Sequence, residues 1–430
     1  MRPSNEGASV GDPQQSSASG RAAPSKPLRG FRVLDLSTLF FGPYASQLLA
    51  DYGADVIKVE APGGDVTRWV GPSLEPGMSG SFLGSNRNKK SIVLDLTRAD
   101  ARAALARLVG TADVLMHNIR PQKLEKLGLD PVTVRAAHPR LVYAVFNGFS
   151  EAGPYAGRPA FDDIIQGLSG LPALARMQTG QPQYMPTVGA DKVGALFGAQ
   201  AIMAALLGRE RTGAGCLVEV PMFESMVAYN LVEHLYGHSF EPTRGDMGYP
   251  RALSPWRKPF RTSDGFVCMM PYADANWRSF FQTIGRPELC DDARFISIVA
   301  RTANIHALYE IVDTAVALHS TAFWLQTCER LDIPAGKMNE PHELEHDPHL
   351  QALGFFQLHD SGVPGTQVRM PSNPVRFDGQ SPSLALAPRL GQDTVRVLQE
   401  SGFSPQEIEA LTRSGDALPP QPSAPQETSP

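Results

Sequence analysis

Cysteine is scarce: four occur in 430 residues, Cys216, Cys268, Cys290 and Cys328, and no two form a CxxC pair. That spacing argues against a zinc site and against a disulfide framework, and leaves ordinary buried thiols in a reducing compartment. Long apolar runs are missing too. No uninterrupted stretch reaches the roughly 18 residues of a spanning segment, and the N-terminus lacks the short apolar core of a secretion signal. A cytoplasmic protein with no membrane partner is expected. There is no excess of positive charge either. The formal net charge of -5 gives no field that would attract nucleic acid, so an anionic ligand must be held by local groups.

The usual cofactor and hydrolase signatures are also absent. After "FRVLDLS" the chain runs "TLFFGPYASQ", one glycine where a dinucleotide cradle needs three. No GxxxxGK[ST] occurs, so ATP is not implied. His342 and His346 have the spacing of a helical metal pair, with His349 close behind, but Pro341 and Pro348 frame an exposed acidic helix start. "GLSGL" at 167–171 fails the spacing of a nucleophile elbow. Neither a metal nor a tightly bound cofactor is expected.

What is present is a core-forming chain: 42% hydrophobic and only 19% charged residues suit one or two globular domains. Residues 1–27 and 416–430 are rich in Ser, Pro, Gly and Gln and read as disordered tails. Between them, "FRVLDLS", "DVIKVEAP", "SIVLDL", "DVLMHNI" and "RLVYAVFNGF" alternate with helical stretches, which predicts parallel strands with crossover helices. The fold class is α/β. A Rossmann-like large domain spans 28–240, a smaller α+β domain 241–335, and 336–415 return to the large domain with C-terminal helices. A loop rich in Pro, Gly and Arg, about 240–259, marks the boundary, and "FRTSDGFVCMMPY" after it reads as a hairpin.

Three acids open apolar helices: Asp162 and Asp163 in "RPAFDDIIQGLSG" and Asp191 in "VGADKVGA". Each has a plain reading as a helix cap, a short acid satisfying orphan amides at the positive end of the dipole. Asp191 has a second. Gly194 and Gly198 follow on one face and strip it of side chains, so a slender ligand has room to approach a carboxylate that the dipole keeps ionised, an arrangement suited to a nucleophile.

The order of "LRGFRVLDLS", "GPYASQLLADYGADVIKVEAP", "NRNKKSIVLDL", "ADVLMHNIRPQKLEKLGLD", "FDDIIQGLSG" and "GADKVGALFGAQAIMAALLGRERTGAGCLVEVPMFESM" resembles the CaiB/BaiF, or class III, coenzyme A transferases, a family that includes α-methylacyl-CoA racemases. The resemblance runs from Leu28 to about Leu411. It implies two ring-shaped subunits threaded into an interlocked homodimer. It also implies a coenzyme A thioester as substrate, an acyl-CoA and a small organic acid as reaction partners, and catalysis through Asp191 by an aspartyl anhydride and an aspartyl-CoA thioester. Dicarboxylic acyl groups such as succinyl are the expected class. The family's contacts to coenzyme A fall on Leu94, Asp95 and Leu96 near the adenine, Asn118, Ile119 and Arg120 along the pantetheine, Lys126 at a phosphate, and Phe161 and Asp162 beside the thioester. Lys89 and Lys90 add local positive charge suited to the 3′-phosphate.

The racemases of that family place a histidine where Phe161 stands, and a phenyl ring cannot move a proton, so transfer is favoured over racemisation. A non-catalytic coenzyme A-binding protein, with Asp191 a cap only, is the reading outside enzymes. The tetraglycine run of formyl-CoA transferases is missing between 240 and 266, so oxalate is not the expected acid. Arg244, Arg251, Arg257 and Lys258 in that region are candidates to pair with a free carboxylate, and the family's usual "GEHT" is "GQDT" at 391–394.

Overall fold

The computed structural model describes residues 26–414 and Ala417. Its centre is a six-stranded parallel sheet in the order β3-β2-β1-β4-β5-β6. The strands are β1 (Arg32–Asp35), β2 (Asp55–Glu60), β3 (Lys90–Val93), β4 (Val114–His117), β5 (Val142–Asn147) and β6 (Leu217–Pro221). Successive side chains on a strand point to opposite faces, so unbroken apolar runs fill two cores at once. Leu34, Ile57 and Leu115 pack on one face with Leu105 and Leu108 of α3 (Ala99–Val109). Val33, Val56 and Val114 pack on the other with Leu49 of α1 (Phe41–Asp51) and Ile202 of α8 (Gly189–Thr212). Between these lie α2 (Gly80–Asn86), α4 (Pro121–Leu127), α5 (Pro131–Ala137), α6 (Asp162–Leu168) and α7 (Leu171–Thr179), and α9 (Met222–His234) follows β6.

Two strands are shorter than the sequence runs suggest. β3 stops at Val93 because Asp95 accepts the Thr97 N–H and hydroxyl and turns the chain. β4 stops at His117, whose Nδ1 accepts the Ile119 N–H. The "GQDT" stretch pairs with this part of the sheet. The Gly391 N–H donates to Ser91 Oγ, Asp393 Oδ2 accepts the Ser91 N–H, and Thr394 Oγ1 accepts the Val93 N–H. It seals the edge strand β3, which would otherwise offer unpaired amides.

A separate apolar cluster, including Phe260, Trp277, Phe280 and Trp324, is built on an antiparallel sheet of β7 (Phe260–Arg261), β8 (Phe266–Met269) and β9 (Ala335–Lys337). The predicted hairpin is there. The helices packed with it are α10 (Asp274–Thr283), α11 (Ile298–Ala303), α12 (Ile305–Val316) and α13 (Thr321–Arg330). After α14 (Pro348–Ala352), the chain forms a β10 (Phe356–Asp360) to β11 (Gln367–Pro371) hairpin and comes back to the large sheet. There Asn373 Nδ2 donates to Asp51, which also binds Arg87. The helices α15 (Thr394–Glu400) and α16 (Pro405–Ser414) close the large core.

Several expectations need correction. The tails predicted at 1–27 and 416–430 lie almost wholly outside the described residues, but Ala417 is buried in the core and its N–H donates to Leu411 O. Cys328 is buried, whereas Cys268 is exposed, so the four thiols are not uniformly interior. By length and composition α8 is apolar enough to cross a membrane, although it packs against α1, α9 and β5. The bare groove inferred at Gly194 and Gly198 is filled from within. Phe41 lies over the first glycine and Phe146 over the second, and the two rings meet edge to face at 5.0 Å.

A Cβ at Gly194 would sit 2.5 Å from Phe41, and one at Gly198 2.4 Å from Phe146. Helix propensity would gain at most about 1 kcal/mol from alanine, while overpacking costs about 1–3 kcal/mol. Gly198→Ala is therefore expected to lower the free energy of urea unfolding, and a gain in stability would contradict this packing.

Candidate active site

A cleft of about 350 Å³ opens at the carboxyl ends of β1, β4 and β5, where the sheet order reverses. Open α/β sheets bind ligands at such a switch point because the loops on either side diverge there. Thr38 and Leu39 line it from the β1 side, Asn118 and Arg120 from the β4 side, and Phe146 to Phe149 from the end of β5, with Asp191 and Phe161 also in the wall.

The β1 wall is held under tension. Leu39 has φ +70, a region costly for a branched side chain by about 1–2 kcal/mol. Its N–H donates to Asp65 Oδ1 at 3.2 Å, and Asp65 is fixed by a fully buried ion pair with Lys58 at 2.8 Å. Asn118 clamps Thr38 on both sides, its Oδ1 accepting the Thr38 N–H at 3.1 Å and its Nδ2 donating to Thr38 O at 2.9 Å. The next support down is His117. Its Nδ1 accepts from Ile119 while Nε2 faces the Tyr143 hydroxyl at 2.9 Å, and that hydroxyl donates to Leu129 O. Burial drops the His117 pKa to about 4, so the ring is neutral with the proton on Nε2.

Asp191 sits in the first turn of α8, partly buried, with its side chain on the cleft. It is not the cap of that helix. The Asp191 N–H instead donates to Asp162 Oδ1 at 3.0 Å, and no side chain caps α8 at Val188. Asp162 is buried and locked in turn: Gln166 Nε2 donates to its Oδ2 and to Thr187 O, while Gln166 Oε1 accepts the Met185 N–H. Among the described residues nothing donates a hydrogen bond to the Asp191 carboxylate, leaving it for a ligand. Burial, reinforced by the nearby Asp162 charge, pushes the Asp191 pKa up to about 7. The expectation that the helix dipole keeps it firmly ionised is overturned, because loss of water and a like charge outweigh a dipole worth about 1 kcal/mol or less.

The structure gathers some of the predicted residues and scatters others. Asn118, Arg120, Phe161 and Asp191 line the cleft, whereas Asp162 supports it from beneath and Ile119 turns into the sheet core. Leu94 is buried, Leu96 packs on the same core, and Asp95 is spent on its own turn. Lys126 faces a different depression, between α3, α4 and α5. Lys89 is interior, its ammonium shared by Asp35, Pro43 O and Asn86, with burial lowering its pKa to about 7, and Lys90 is paired with Asp55 and Glu400. Neither lysine is free for a phosphate. Arg251, Arg257 and Lys258 line a cavity beside the apolar cluster of Phe260 and Trp324, and Asp191 is not part of its lining. The histidines 342, 346 and 349 are exposed, and no metal-holding group of three is present among the described residues. The sequence reading missed Leu39 and Gln166, and did not single out Arg158, which also lines the cleft. Gln166 alone left a signal, standing four residues after Asp162 on one helix.

A parallel sheet with this order and an acid at its switch point is an α/β enzyme scaffold, and comparison with known proteins says which one. Residues 28–394 match CoA-transferase family III. The chain is 34% identical to the succinate–glutarate CoA-transferase of Agrobacterium fabrum, over 87% of this chain and 95% of that protein. It is 36% identical to the probable fatty acyl-CoA transferase Rv3272 of Mycobacterium tuberculosis, over 70% and 80% respectively. A CaiB/BaiF family protein from Brucella suis superposes with a TM-score of 0.74 at 30% identity, covering 88% of this chain and all of that one. The chain belongs to CoA-transferase family III, and it is an enzyme that transfers coenzyme A.

The paired acids make the site sensitive to pH and to substitution. With a folded pKa near 7 against an ordinary 3.8, the folded state holds the extra proton between those values, so stability falls as pH rises through that window. Asp191→Asn is expected to melt above wild type at pH 8, with the gap closing towards pH 4. Asp162→Asn takes away the like charge, and its amide would oppose the Gln166 amide. It should lower the Asp191 pKa, read by NMR of the carboxyl carbon, and cost about 1–2 kcal/mol of stability. An unmoved titration would show that Asp162 does not set it.

Proposed function

We propose that Asp191 is the nucleophile of a coenzyme A transfer between an acyl-CoA and a small carboxylic acid. The observation that carries this reading is its geometry: a carboxylate with no hydrogen-bond donor among the described residues, on the wall of a switch-point cleft, in a chain of this family. One Asp191 oxygen attacks the thioester carbonyl, the C–S bond breaks, and coenzyme A leaves as thiolate from a mixed anhydride. The thiolate then attacks the aspartyl carbonyl carbon, the anhydride C–O bond breaks, and the first acid departs. An acceptor carboxylate runs both steps in reverse and leaves as the new thioester. Each exchange trades one carboxylate or thiolate for another, so no phosphate donor, metal or tightly bound cofactor is required.

Dicarboxylic acyl groups such as succinyl are the substrate class we infer, supported by relatives named for succinate and glutarate. Racemisation is disfavoured by Phe161, which lines the cleft without a proton to give. Coenzyme A would pass Phe161, Asn118 and Arg120. The ends of β2 and β3 lie about 5 and 10 Å beyond β1, which puts Leu94, Asp95 and Leu96 within reach of an extended adenosine, through backbone where the side chains are buried. Lys126 closes α4, one helix length from Arg120.

Exposed Leu196, Phe197 and Leu207 on α8, with Tyr229 and Val232 on α9, support an interlocked homodimer. We divide the chain into domains at 28–240 and 241–335 with a return over 336–415, and assign it to the cytoplasm.

Incubation with an acyl-CoA followed by hydroxylamine should label the Asp191 peptide. Asp191→Ala should lose label and transfer together. Since the carboxylate is the attacking form, kcat/KM should rise with pH and level off above about 7. Proton exchange at the α-carbon without labelling would point to a racemase, and turnover by Asp191→Ala would end the proposal.

A further inference from the structure

The cleft holds a second arginine with no assigned part. Arg158 stands on the segment between β5 and α6 and lines the same cavity as Asp191. It is exposed and has no carboxylate within ion-pair distance among the described residues. Its guanidinium is nevertheless held in place, lying 4.4 Å over the Tyr155 ring, which packs in turn on Phe149 at 5.3 Å. A cation against an aromatic face keeps its in-plane N–H donors free for a planar anion. The backbone just before it takes a left-handed turn at Gly157, φ +67, a conformation that side chains rarely adopt.

Glu151 shares the cleft, and it could have cancelled this charge. Instead its Oε1 accepts from Asn147 Nδ2 at 3.2 Å and from the Gly157 N–H at 3.4 Å. Arg120, the other cation in the wall, follows β4, the strand next to β5. The cavity therefore presents one acyl-accepting carboxylate and one preoriented, unneutralised guanidinium fork on the β5 side.

We infer that Arg158 is a specificity residue: it receives the distal carboxylate of a dicarboxylic acyl group while the reacting carboxyl lies at Asp191. The inference rests on the transferase reading above and adds the group that selects for a second charge. A monocarboxylic acid of equal length would leave the guanidinium to water and gain nothing from it.

The test is isotope exchange of an acid into its own CoA thioester, run separately for succinate with succinyl-CoA and butyrate with butyryl-CoA. Arg158→Met should lower kcat/KM for the succinate pair by about 10- to 100-fold, the scale of a lost charge-assisted bidentate contact. The butyrate pair should stay unchanged. Arg158→Lys should fall between, since it keeps the charge and loses the fork. Equal loss on both pairs would overturn the inference, as would a wild-type enzyme that exchanges butyrate and not succinate. Hydroxylamine labelling at Asp191 separates the two levels: a labelled enzyme without dicarboxylate selectivity ends the role of Arg158 alone, and an unlabelled one ends the transferase mechanism.

Discussion

The close approach of α8 to the sheet, made where Gly194 meets Phe41 and Gly198 meets Phe146, is the constraint on which the site depends. A side chain at either glycine would push the helix away from the strands. With both absent, the first turn of α8 comes down beside the open ends of β1, β4 and β5, and Asp191 enters the cleft between them. The two rings that fill the glycine face also line that cleft, so one set of contacts packs the core and shapes the site.

That position is electrostatically expensive, and the structure keeps it without relieving it. Asp162 caps the amide of Asp191 and leaves its carboxylate alone, so the second acid supplies order together with repulsion. The wall opposite is arranged in the same spirit: Leu39 is held at positive φ by a buried ion pair and the Asn118 clamp. Buried charges at the ends of β1 and β2 act as fixed struts. Lys89, whose sequence neighbourhood suggested ligand contact, is bonded to Asp35, and Lys58 neutralises Asp65, which holds the Leu39 amide at the cavity wall. Backbone strain at Leu39 and an unrelieved carboxylate at Asp191 thus meet in one cleft, the combination that reactive sites tend to collect.

Much of this was legible beforehand. The alternation of apolar strands with amphipathic helices specifies a parallel sheet because each run is buried on both faces, and "GADKVGALFG" singled out Asp191 through residue types that depend on one helix turn. Other features were not. The glycine stripe looked like a ligand groove because sequence cannot show that Phe41 and Phe146, both far upstream in the chain, supply its filling. Lys89 looked exposed because its neighbours are polar, and only the fold places Asp35 and Asn86 against its ammonium. "GQDT" had no visible purpose until the return of the chain put it along β3.

The sequence by itself determined the α/β class, the family and the acid that opens α8, since periodicity and local motifs are properties of neighbouring residues. Only the tertiary structure decided what surrounds that acid: which carboxylate caps the helix, that the Asp191 pKa stands near 7, and which arginines face it. Burial and charge proximity are sums over atoms distant along the chain, and a linear pattern cannot carry them.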